Sequence, residues 1–162
     1  MKATRPPAPN PRPGTIFAFH PLAGAQRPAT SPMHPPRRIL IADDDSDIRL
    51  GASDLLAHTG LEVVQAEDGT QAMRLLTEGC GAHIALFDLQ MPGFTGLELF
   101  QHVIDHKLNL PCILWSGDAS QGTEQFALER GASAFLHKPV PPKLLREHVL
   151  AALEKHWGPR AN

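Results

Sequence analysis

Between residues 37 and 157 the chain repeats one pattern five times: a short apolar run, then a stretch whose apolar residues recur at helical spacing. The runs are "RRILIA", "LEVVQA", "HIALFD", "PCILWS" and "SAFLH". Each is five or six residues long, the length of a strand and too short for a helix. Strands joined by helices run parallel, cross over right-handedly and leave helices on both faces of one sheet. The expected fold is therefore α/β, a doubly wound five-stranded parallel sheet.

The intervening stretches carry their own start and stop signals. After the first run, Ile48, Ala52, Leu55 and Leu56 share a helical face, and Gly60 offers a left-handed stop. Ala72, Leu75 and Leu76 mark a second helix that should close near Gly81. Thr95 with Glu98 three residues on is a capping box, opening a helix that buries Leu99, Phe100 and Val103. A fourth helix is expected from about Ser120 to Arg130, stopped by Gly131. Pro141 and Pro142 suit the first turn of a fifth, lined by Leu145, Val149, Ala152 and Leu153.

The first 36 residues have another character. Ten of them are proline and none is acidic, while Lys2, Arg5, Arg12 and Arg27 give them a basic charge. This composition predicts a disordered extension over residues 1–36, a folded domain over 37–157 and a short tail over 158–162. The apolar patch "TIFAF" is too brief and lies too deep for a secretory signal. The acid-free start mildly resembles an organelle transit peptide, and Met33 is an alternative first residue. From Arg37 onward 11 Lys and Arg face all 17 acids, a net charge of −6, which argues against direct nucleic-acid binding. No apolar run is long enough to span a bilayer, and Cys80 and Cys112 are too few for a disulfide scaffold, so a cytoplasmic protein is expected.

In an open parallel sheet, sites gather at the carboxyl ends of the strands. That rule brings together Asp43, Asp44 and Asp45 after the first run, Asp88 after the third, Ser116 after the fourth and Lys138 after the fifth. Three adjacent carboxylates repel, and burying them requires solvent, a cap or a cation. Converging carboxylates make a hard, all-oxygen site suited to magnesium. A carboxylate is also a competent nucleophile for phosphate, a lysine supplies positive charge for phosphate oxygens, and a serine hydroxyl can donate to one. Phosphoryl transfer needs little more than such positioning and electrostatics.

With these residues in this order, the chain resembles the receiver domain of two-component response regulators from about Arg37 to His156. "ADDD" is similar to that family's acidic pocket, which implies that Asp43 and Asp44 hold magnesium and leaves Asp45 less committed. "LFDLQMPGFTG" resembles the phosphoacceptor segment, implying an aspartyl phosphate on Asp88 and a metal ligand in the main-chain carbonyl of Gln90. "LWSG" places Ser116 as the switch hydroxyl, and "FLHKP" places Lys138 before a cis Pro139 and Phe135 as the switch aromatic. The resemblance further implies strand order 2-1-3-4-5, the flavodoxin-like arrangement. It also implies phosphoryl transfer from a histidine kinase or phosphotransfer protein, slow self-dephosphorylation, and an output face of helix 4, strand 5 and helix 5. On transfer Ser116 and Phe135 would move inward. Only "WGPRAN" follows the fifth helix, so a stand-alone receiver is expected. Two residues depart from the pattern, His83 at the start of the third run and the bulky Trp115 before Ser116.

Plainer readings compete at each position. "DDD" alone would be a helix-capping turn, Ser116 a strand-end hydroxyl bonded to backbone, and Phe135 ordinary core. His102 and His106, spaced i, i+4, could share a zinc ion but have no third ligand nearby and read as a solvated face. Gly69, Gly81 and Gly131 read as turn residues rather than a phosphate cradle. Among whole functions, a haloacid-dehalogenase-type phosphatase would also use an Asp nucleophile and magnesium. It needs a second Asp two residues on, where this chain has Gln90. A receiver-like binding module working without phosphate is the other rival.

Overall fold

The computed structural model describes residues 35–159. The expected disordered extension, the transit-peptide resemblance and the alternative first residue Met33 fall on residues 1–34, and most of the tail on 160–162, outside the described residues. Five strands, β1 (Arg38–Ala42), β2 (Glu62–Ala66), β3 (Ile84–Asp88), β4 (Cys112–Ser116) and β5 (Ala134–His137), alternate with five helices. These are α1 (Ser46–Ala57), α2 (Gly69–Glu78), α3 (Gly96–Asp105), α4 (Gln121–Glu129) and α5 (Pro142–Trp157). All neighbouring strands are parallel, in the order β2-β1-β3-β4-β5.

The strands alternate their side chains between two apolar layers, as a pleat must. Leu40, Ala42, Ala85, Phe87, Cys112, Leu114 and Phe135 pack with Leu76, Leu99, Val103 and Ala127 of α2, α3 and α4. Ile39, Ile41, Ile84, Leu86, Ile113, Trp115 and Leu136 pack with Ala52, Leu56, Leu145, Val149 and Leu153 of α1 and α5. Both faces of the sheet are thus covered, and its central strands read as continuous apolar runs for that reason. The polar residues are left to the strand ends.

Four helices start on a side-chain cap: Asp45, Asp68, Thr95 with the reciprocal Glu98 box, and Ser120. Pro141 precedes α5 without a side-chain cap. The second helix ends earlier than its sequence suggests. Gly79, in the left-handed region at φ 81°, caps it, and Gly81 lies beyond in the connection to β3. Gly69 is not a turn glycine: it opens α2, where a Cβ would overlap the main chain of Phe94. His83 falls just before β3. Its Nδ1 accepts the Arg38 N–H at 3.0 Å, and burial with the charges of Arg37 and Arg38 lowers its pKa, favouring the neutral ring that this bond needs.

Candidate functional site

Asp43 leaves β1 with no exposed surface, and its carboxylate is held from two directions. The Asp45 N–H donates to Oδ1 at 2.9 Å, and Lys138 Nζ lies 2.6 Å from Oδ2. The same ammonium is 3.3 Å from Asp88 Oδ1, so one cation from the end of β5 ties together the ends of β1 and β3. Carboxylate oxygens of Asp43, Asp44 and Asp88 lie within 4.8 Å of one another; two of the three residues are buried and Asp44 is exposed. This group could hold a metal ion. Among the described residues no other His, Cys, Asp and Glu cluster has such geometry.

Asp45, the third of the run, does something else. Its carboxylate accepts from the N–H groups of Asp47 and Ile48 and starts α1. The capping reading thus holds for one aspartate of three.

Asp88 is 5% exposed, and burial followed by the nearby Asp43 charge pushes its carboxyl up to about 6, against the pull of Lys138. At pH 7 most of it is still the ionised form that a nucleophile requires. The Gln90 N–H is 3.5 Å from Asp88 Oδ1, at the edge of hydrogen-bonding range. Behind Asp88, α3 begins so close that a Cβ on Gly96 would overlap the Asp88 carbonyl.

Ser116, 1% exposed, accepts the Asp118 N–H at 3.1 Å through Oγ. Phe135 is 7% exposed and already lies in the α2–α3–α4 layer, with its ring 5.3 Å from that of His137. The Lys138–Pro139 peptide is cis.

Arg49 was not legible as a site residue. It lies on the buried face of α1 with Ala52, Ser53 and Leu56, donating to the Asp43 carbonyl at 2.8 Å and to Gln65 Oε1 at 3.0 Å. Its position in register with an apolar stripe was the available signal, since a charge there must find a buried partner. His102 on α3 and His106, its C-cap, stack with ring centroids 4.0 Å apart, and among the described residues no third metal-binding side chain is grouped with them. Cys112 is buried, which raises its thiol pKa and leaves it unreactive.

The model of the response regulator receiver domain family matches residues 39–150. This chain belongs to that family. Solved receivers share its fold: a CheY-like receiver from Methanospirillum hungatei superposes with a TM-score of 0.71 at 31% identity, covering 76% of this chain and 98% of that one. A two-component response regulator-like protein of rice, PRR37, is 33% identical over 122 residues, 74% of this chain and 16% of its own length. The CAI-1 autoinducer sensor kinase/phosphatase CqsS of Vibrio cholerae is 35% identical over 118 residues, 71% of this chain and 17% of its own. The receiver therefore spans about one sixth of the length of these two relatives. Among the described residues no helix is long and apolar enough to cross a membrane.

Proposed function

We propose that this receiver accepts a phosphoryl group on Asp88 from a histidine kinase or a histidine phosphotransfer protein and thereby alters a partner-binding face. The observation that carries the reading is Lys138 Nζ within 3.3 Å of two buried carboxylates from different strands, beside a third that faces solvent. An all-oxygen set open on one side fits magnesium, which keeps several waters. Asp43, Asp44, Asp88 and the main-chain carbonyl of Gln90 would hold it, and when bound it neutralises charge on the transferred group.

In the transfer, an Asp88 carboxylate oxygen forms a bond to phosphorus as the nitrogen–phosphorus bond of the donor breaks. The electron pair leaves with the imidazole nitrogen, which takes a proton from solvent. Lys138 offers its charge to the phosphoryl oxygens, and the Ser116 hydroxyl turns from the Asp118 N–H to donate to one. Phe135 lies inward in this arrangement, and the role we assign to Ser116 is to hold the phosphoryl group with the ring in that position. The face affected comprises α4, β5 and α5. The acidic body and the unpaired cysteines suit action in the cytoplasm through a protein partner rather than on nucleic acid.

A phosphatase reading fares worse. Gln90 stands two residues after Asp88, and its amide cannot exchange a proton with a leaving group. The deciding experiment is intact mass after incubation with acetyl phosphate and magnesium. A gain of about 80 Da that needs magnesium and vanishes in Asp88→Asn is expected. No adduct with acetyl phosphate or a phosphorylated histidine donor would move the protein to the phosphate-independent binding module.

A further inference from the structure

Trp115 is the penultimate residue of β4, just before Ser116, and pairs in register with Asp88 across the β3–β4 ladder. Its carbonyl accepts the N–H of Leu89, the residue after Asp88, at 3.1 Å. The side chain points to the opposite layer from Phe135, among α1 and α5 residues, and is 3% exposed. There Lys138 Nζ sits 4.8 Å from the centroid of its ring. The ammonium is thus bounded by two carboxylates and an aromatic face.

A plain apolar filler would explain the burial but not the indole nitrogen. Trp115 Nε1 is the one buried side-chain nitrogen or oxygen without a hydrogen-bond partner among the described residues. Leaving such a donor unsatisfied opposes folding, and a leucine like its neighbour Leu114 would avoid the penalty. What leucine lacks is the negative quadrupole face that attracts a cation.

We propose that Trp115 is a positioning residue that holds the Lys138 ammonium over the phosphoacceptor through its ring face. The inference rests on the phosphoacceptor reading of Asp88. The two carboxylates are variable anchors, since phosphorylation converts one of them to an acyl phosphate. The ring does not change with that chemistry, so it keeps the lysine in place while its partners are exchanged. A lysine stem carries several rotatable bonds, and fixing it beforehand removes ordering that the transfer step would otherwise require.

The test compares wild type, Trp115→Phe and Trp115→Leu in the full chain, each checked for native circular dichroism, with Trp115→Met replacing the leucine variant if that one does not fold. Two readouts are taken. In metal-free protein, the Lys138 side-chain protons, assigned against Lys138→Arg, should be shifted upfield by the ring current in wild type and Trp115→Phe and not in Trp115→Leu. With acetyl phosphate and magnesium, the maximal labelling rate of Trp115→Leu should fall about threefold to tenfold, with the half-saturating acetyl phosphate concentration unchanged. Trp115→Phe should restore most of that rate. Wild-type labelling matched by Trp115→Leu, or a folded Trp115→Phe as slow as Trp115→Leu, overturns the proposal, as does an unshifted Lys138 in wild type. A wild type that takes no label at all refutes the phosphoacceptor reading itself, and the positioning role falls with it.

Discussion

Lys138 Nζ and Asp43 Oδ2 are 2.6 Å apart although 95 residues separate them in the chain. Both side chains are largely shielded from water, so removing one partner strands the other's charge. Lys138→Met should therefore cost about 3 kcal/mol or more in metal-free protein near neutral pH, read by urea denaturation. Magnesium should restore part of that loss, because a cation again faces the carboxylates. The labelling rate should not recover with it, since no side-chain cation would then reach the phosphoryl oxygens.

Asp88 gives a prediction whose sign follows from its environment. Its carboxyl is raised from 3.8 to about 6, by burial first and by Asp43 second. The fold thus binds this proton more tightly than the unfolded chain does, and stability falls as pH climbs from about 4 to about 6. Above that window the ionised group opposes folding by up to about 3 kcal/mol. Asp88→Asn, which stays neutral, should be more stable than metal-free wild type at about pH 7.5 and lose that advantage at about pH 4. Equal stability differences at both values would refute this account of the site's electrostatics.

The strands and their order of polar ends were legible because each strand hands its last residues to the same edge of the sheet. Asp43, Asp88, Ser116 and Lys138 needed only the strand assignments and the crossover rule to be brought together. Contacts made across layers were not legible. Arg49 looks like one more surface charge on α1 until its two acceptors, Asp43 and Gln65, are seen in space. Trp115 looks merely bulky until Lys138 lies over it. Nor could composition divide three consecutive aspartates, because backbone direction after β1 decides which one caps α1.

Gly96 tests how closely α3 must approach the phosphoacceptor. A methyl group there would run into the Asp88 carbonyl, a backbone atom that cannot swing aside. Gly96→Ala should destabilise by about 1 to 3 kcal/mol in thermal melts and displace the Asp88 amide resonance. Gly122, where the nearest atom to an added Cβ is the Ser120 hydroxyl at 3.8 Å, is the control: Gly122→Ala should be neutral or slightly stabilising.

The division of labour within "DDD" makes the last prediction. Asp44 and Asp45 are adjacent, both exposed and chemically identical, yet Asp44 points its carboxylate at Asp43 and Asp88 while Asp45 spends its own on two α1 amides. Asp45→Ala should cost about 1 kcal/mol of stability, the usual penalty for a lost helix cap. Its magnesium affinity, followed by titration calorimetry, should stay within about twofold of wild type, since its carboxylate is not in the cluster. Asp44→Ala should do the reverse: removing a carboxylate that neighbouring charges repel leaves metal-free stability unchanged or improved, and removing a donor weakens magnesium binding about tenfold or more. Loss of metal affinity in Asp45→Ala equal to that in Asp44→Ala would mean that the whole run, rather than its first two members with Asp88, forms the acidic pocket.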